Sequence, residues 1–169
     1  MTIQGLIGNA EALLSELESG ALVRSALEGY GEDIMAMQRI QLLEGKASSG
    51  DDIRPYYSED VGPGGYFKNR SEADQYRAWK GSLSYPHDVK RNDDAPNLYI
   101  NGKFHSELGV TFGSEAVGIL PSTPYASKIV RKYGVGTFGL TRERWNELFI
   151  ERGALARVID KVKDTLYGN

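Results

Sequence analysis

Cysteine is absent from the chain, which excludes a disulfide framework and any thiolate chemistry and fits an intracellular origin. No apolar run approaches the ~18 residues that a membrane span needs. The first residues hold no basic stretch followed by an apolar one, so no secretion leader is expected. An excess of positive charge is missing as well. The 169 residues carry a formal net charge of −3 and a pI of about 5.5, unlike the basic footprint of a nucleic-acid binder. Hydrophobic residues make up 40% and charged residues 25%. That is the composition of a globular protein, at a length that suits one domain with a real core.

Helical periodicity dominates the two ends. Residues 1–45 read as a helical arm. A first helix covers "QGLIGNAEALLSELES", with Leu6, Leu13, Leu14 and Leu17 as its apolar stripe. A second runs from Ala21 to Leu43, its apolar positions separated by steps of three and four. Gly20 and Gly45 punctuate its ends, while Gly29 and Gly31 weaken its middle. Residues 46–96 form a long loop region with one short helix, "SEADQYRAWKGSL", in which Ser71 and Asp74 make a capping-box-like start. The loop carries Tyr56, Tyr57, Tyr66 and Phe67. Disordered chains are poor in aromatics, so an ordered excursion is expected.

The β signal lies in "NLYI-NG-KFHSELGVTF-GS-EAVGIL". Three apolar-patterned runs are joined by Asn101-Gly102 and Gly113-Ser114, which predict two hairpin turns and a three-stranded meander. Pairing across those turns sets Phe112 opposite Glu115, Val110 opposite Val117, Leu108 opposite Ile119 and Tyr99 opposite Phe104. Gly109 then meets Gly118, leaving a shallow groove for a neighbouring backbone or helix. After the sheet, Thr123 and Pro124 open a helix over "PYASKIVRKY" that Gly134 ends. Thr141 opens a last amphipathic helix that Gly153 interrupts. The expected class is α+β: N-terminal helices and a small antiparallel meander, packed by a central and a C-terminal helix.

Three patterns bear on chemistry. Gly134, Gly136 and Gly139 spell G-x-G-x-x-G, but a capped helix precedes them where a dinucleotide site needs a strand. They are expected to form a helix cap and a short extended linker. Asp51, Asp52, Glu59 and Asp60 gather acids without an EF-hand spacing. A histidine metal site would need ligands converging from separate segments, such as His87 with Asp93 and Asp94, and His105 is expected on the outward face of a strand. No cofactor or metal is expected. A small metal-dependent hydrolase using Asp51, Asp52, His87 and Asp88 is one alternative, and an interaction module of a non-viral complex is another.

The order of elements over about residues 97 to 166 resembles the tail-completion or virion-morphogenesis proteins of tailed bacteriophages. The resemblance rests on Gly102 with Phe104, Tyr125 with Ala126, Gly134, and Phe138-Gly139-Leu140 ahead of the final helix. It implies a non-enzymatic virion subunit, assembled in the host cytoplasm. Copies would form a homo-oligomeric ring, often six-fold, at the head–tail junction beside other neck and tail proteins. DNA would pass through without specific binding. On that reading Tyr56, Tyr57, Tyr66, Phe67, Trp79 and Tyr125 are candidate interface anchors, with Gly109 and Gly118 as a second docking surface. For Trp79 and Tyr125 ordinary core packing is the competing explanation.

Overall fold

The computed structural model describes residues 2–90, 92–113 and 116–167. It is mixed α+β, mostly helical with one small antiparallel hairpin. The chain divides into two compact units, residues 1–34, 110–118 and 143–169 on one side and 35–109 and 119–142 on the other. Among the described residues no helix is long and apolar enough to cross a membrane.

The first unit is built on α1 (Ile3–Glu18), α2 (Ala21–Leu27) and α8 (Ala154–Tyr167). Thr2 caps α1 by accepting the Gly5 amide at 3.1 Å. Gly20 reverses the chain with φ at 67°, and α2 buries Leu22, Ala26 and Leu27. The weakness at Gly29 is real: a 3₁₀ turn at Glu28–Tyr30 separates α2 from α3 (Gly31–Leu43). At the C-terminal end, α7 (Arg142–Asn146) runs into a π-helical turn, Glu147–Glu151, before Gly153 and then α8. Arg152 fixes that break by pairing with Asp33 at 2.6 Å and Glu147 at 2.8 Å. Asn9 donates to the Leu166 carbonyl at 2.9 Å, tying α1 to the end of α8. Of the expected α1 stripe, only Leu13 is buried; Leu6, Leu14 and Leu17 face solvent.

The second unit centres on the rest of α3, whose Met35, Met37, Leu42 and Leu43 are buried. The long loop is ordered by its own backbone: Ile53 N–H donates to Gly45 O at 2.7 Å, Phe67 N–H to Asp60 O at 3.0 Å and Gly62 N–H to Phe67 O at 2.9 Å. Helix α4 (Arg70–Ser82) starts one residue before Ser71. Its cap is Asn69, which accepts the Glu72 amide at 3.0 Å while Glu72 accepts from Lys68 N–H at 2.7 Å.

The sheet has two strands, β1 (Leu108–Phe112) and β2 (Val117–Pro121). The strand expected ahead of Asn101-Gly102 does not form. Asn101 accepts the Lys103 amide at 3.1 Å and Gly102 takes φ of 82°, which launches a helical turn, α5 (Lys103–Ser106), instead of a hairpin. The preceding backbone is claimed by side chains: Asn97 accepts from Tyr99 N–H at 3.1 Å, and His105 Nε2 donates to Asn97 O at 2.9 Å. Leu98 sits at φ of 54°, outside any strand conformation. Tyr99 and Phe104 are therefore not strand partners, and His105 is buried inside a helical turn rather than outward on a strand.

The hairpin register also differs from the expected one. Gly113 N–H donates to Ala116 O at 2.9 Å; the pairing expected for Glu115 falls outside the described residues. Thr111 stands across from Gly118 and Gly109 across from Leu120, so the two glycines do not face each other and their groove is absent. A shift of two residues keeps each side chain on its expected face. Leu108 and Ile119 are buried and Val110 and Val117 half-buried, as the alternation requires. Helix α6 (Ala126–Tyr133) follows, with Tyr125 at its N-cap. Thr123 contributes its carbonyl to Ala126 N–H at 3.1 Å, while its hydroxyl is buried with no hydrogen-bond partner among the described residues.

Candidate functional site

The second unit holds an aromatic cleft of about 470 Å³. Four elements build it, together with Leu98, Ile100 and Asn101 of the segment ahead of α5. The loop supplies Tyr57, Asp60, Tyr66 and Phe67. Helix α4 supplies Tyr76 and Lys80, one turn apart, and Phe104 of α5 closes the floor. Helix α6 supplies Tyr125, Lys128, Ile129, Lys132 and Tyr133, whose steps of three and four place them on one helical face.

Edge-to-face packing holds the wall. Tyr57 meets Phe67 at 6.2 Å and Tyr76 at 5.1 Å between ring centroids; Tyr66 meets Phe67 at 4.9 Å. Phe104 stacks on Tyr125 at 6.3 Å. Trp79 leans on Tyr76 at 5.3 Å and extends the wall outward. Tyr57 and Phe67 are buried, whereas Tyr66, Trp79, Tyr125 and Ile100 remain exposed, so the cleft is rooted in the core and open at its rim. Burial pushes the phenols of Tyr57, Tyr76 and Tyr133 upward, and they stay protonated.

Charge enters through lysines. Lys132 pairs with Asp60 and lies over the Tyr66 ring at 4.9 Å and the Tyr133 ring at 5.5 Å. Asp60 also accepts the Tyr66 amide at 3.1 Å, which locks the loop against α6. Lys80 is buried and donates to Asn97 Oδ1 at 2.6 Å and to the Tyr99 carbonyl. Beside it, burial holds His105 down at about 4, so the ring is neutral at physiological pH and donates through Nε2.

Of the residues singled out as interface anchors, Tyr57, Tyr66, Phe67 and Tyr125 line this cleft and Trp79 stands beside it. Tyr56 lies elsewhere: the Arg54 guanidinium covers its ring at 3.7 Å and its hydroxyl donates to Asp52 at 2.7 Å. Gly109 and Gly118 belong to the hairpin and take no part. Tyr76, Phe104 and Tyr133 were absent from the sequence-based set; the α6 periodicity that contains Tyr125 and Tyr133 was the signal for one of them.

The acidic loop residues are committed to local structure. Asp52 pairs with Lys46 at 2.8 Å and accepts from Tyr56 and Asn92, and these partners, Lys46 first, hold its carboxyl at about 2. Glu59 pairs with Arg54, and Asp94 accepts from Ser58 N–H at 2.9 Å and pairs with Arg77 at 3.2 Å. His87 is exposed. Among the described residues no three His, Asp or Glu side chains are grouped to hold a metal ion.

The glycine triplet joins α6 to α7. Gly134 ends α6 at φ of 83°, and a 3₁₀ turn at Val135–Thr137 follows in place of the expected extended linker. The Gly136 carbonyl accepts from Ser48 N–H and Oγ, each at 2.8 Å. Two buried glutamines of α3 clamp the rest. Gln38 Oε1 accepts from Gly139 N–H at 2.8 Å; Gln41 accepts from Thr141 N–H at 2.9 Å and donates to Gly139 O at 2.8 Å. The amides of Gly134, Thr137, Phe138, Gly139 and Thr141 are already donated within the chain.

No family model, curated protein or solved structure matches the chain. Its function is therefore argued from the cleft.

Proposed function

We propose that the protein is a structural subunit of a tailed-phage neck or tail terminus, assembling as a homo-oligomeric ring and seating segments of neighbouring subunits in the aromatic cleft. The observation that carries this reading is the convergence of Tyr57, Tyr66, Phe67 and Tyr125 on one open cleft. Exposed aromatics anchored in a packed wall are the usual residues of interface hot spots, because they offer large area at small conformational cost. The order of elements resembling tail-completion proteins supplies the virion context. The mild net charge of −3 suits a ring lining past which DNA slides, since it offers phosphate no strong attraction. The loop acids, engaged in ion pairs and backbone contacts, favour this reading over hydrolysis.

Native mass spectrometry of the purified protein and inspection of the flanking genes test the proposal. A closed oligomer and neighbouring capsid or tail genes are expected. A protein that stays monomeric at every concentration, from a gene remote from any structural phage gene, would overturn it.

A further inference from the structure

Helix α1 displays most of its apolar side chains to solvent. Ile3, Ile7, Leu14 and Leu17 are between 47% and 81% exposed. With Ala10 they fall at steps of four and three along the helix, so they stand in a single line. The first unit uses the flank of α1 next to that line, through Leu13 and Asn9. The only charges on α1 are Glu11, Glu16 and Glu18; it has no lysine or arginine. At 100° per residue, Glu11 and Glu18 border the apolar line. The helix is thus an apolar ridge with an acidic margin, uncovered in a single copy.

The cleft has the opposite character. Its rim is apolar and aromatic, through Tyr66, Ile100 and Tyr125, and the residues lining it include three lysines against one carboxylate, Asp60, which Lys132 already pairs. Lys128 stands exposed on the first turn of α6 at that rim.

We propose that the cleft's occupant is helix α1 of a second copy of this chain. The inference rests on the assembly reading above and names its contact. A cleft of about 470 Å³ does not enclose a helix ~10 Å across, but it takes in side chains projecting from one. Ile3, Ile7 and Leu14 are spaced as the anchors of a helix laid on a groove. The acidic margin of Glu11 and Glu18 then faces Lys128, an exposed lysine of the lining. Donor and acceptor are different surfaces, so each copy offers a ridge to one neighbour and a cleft to the next. Such a heterologous contact propagates head to tail and closes into a ring when the rotation between copies allows. The ridge, about 24 Å long by the rise of an α-helix, is a narrow strip beside the ~800 Å² per partner of a stable interface. A single contact is therefore reversible but holds two copies at high protein concentration, and closing the ring, in which each copy is held twice, strengthens the assembly further.

Two surface variants test this. Ile7→Asp with Leu14→Asp spoils the ridge; Ile100→Glu with Lys128→Glu spoils the cleft rim. All four positions are exposed, and circular dichroism verifies that both variants fold. In sedimentation velocity the wild type is expected to self-associate with concentration, each variant alone to stay monomeric, and an equimolar mixture to form a dimer that grows no further, because one intact ridge meets one intact cleft. Wild type that never associates overturns this contact together with the assembly reading. Wild type that associates while the mixture stays monomeric overturns this contact alone. A rim variant that self-associates like the wild type also overturns it, and points to ridge-on-ridge pairing instead.

Discussion

Replacing Gln41 by methionine isolates the clamp on the glycine segment. Gln41 is 1% exposed, and methionine has nearly its length and volume, so the change removes two hydrogen bonds without opening a cavity. Gly139 O loses its 2.8 Å donor and Thr141 N–H its 2.9 Å acceptor. A buried backbone group deprived of a partner costs about 1–3 kcal/mol. Two such groups, with some local relaxation, give a loss of about 2–3 kcal/mol. For a chain of this size that lowers the thermal midpoint by about 5–10 °C. Gln38→Met is the matched control. It takes the acceptor from Gly139 N–H, but Gln38 Nε2 is itself buried with no hydrogen-bond partner among the described residues. Methionine removes that unsatisfied donor along with the useful acceptor, so the net loss stays below about 1 kcal/mol. Both variants are read by far-UV circular dichroism against temperature and urea. A loss below about 1 kcal/mol for Gln41→Met would refute the claim that Gln41 holds this segment, and equal losses would refute the cost assigned to the unsatisfied Gln38 donor.

Three further outcomes follow from the geometry. His105 has its proton affinity lowered from 6.5 to about 4 by burial, so the unfolded chain binds that proton first. Stability from this group is complete above pH 6.5 and drains as pH falls toward 4, by up to about 3 kcal/mol; His105→Gln should flatten the urea midpoint across that window, and an unchanged wild-type midpoint there contradicts the buried neutral ring. Gly65→Ala sets a Cβ 2.7 Å from the Asp60 carbonyl carbon and oxygen, whereas Gly29→Ala meets only the movable end of Arg157. Thermal melts should show a loss of about 1–3 kcal/mol for the first and within about 0.5 kcal/mol of wild type for the second. Asn69→Ala removes the α4 cap and should cost about 1 kcal/mol, while Ser71→Ala is near neutral in the same urea titration; the reverse order would restore Ser71 as the cap.

Much of the helical layout was legible from periodicity and from glycine. Gly20, Gly134 and Gly153 mark real boundaries because each takes a positive φ that ends or redirects a helix. The strand before Asn101 was misread because Asn-Gly suits both a hairpin turn and the start of a helical turn. Side-chain bonds from Asn97, Asn101 and His105, made with residues brought close only by folding, decided between them. The same limit applied to the caps: Asn69 lies two residues from Ser71, and either type serves as an N-cap. Loop aromatics signalled the cleft, since a long loop keeps Tyr57 and Phe67 ordered only by burying them. Tyr76 and Tyr133 carried no such flag. On amphipathic helices their spacing looks like core, and the tertiary fold turns that face toward an open cleft.

Trp79 and Trp145 are the only two tryptophans. Trp79 sits 5.3 Å from Tyr76, and Tyr57 and Tyr66 lie within 6.3 Å of Tyr76 in turn. Excitation absorbed by those phenols drains to a single indole at the rim. With Trp145 changed to phenylalanine, the chain becomes its own optical gauge: whatever settles beside that indole dries its surroundings and shifts its emission to the blue, with no dye attached.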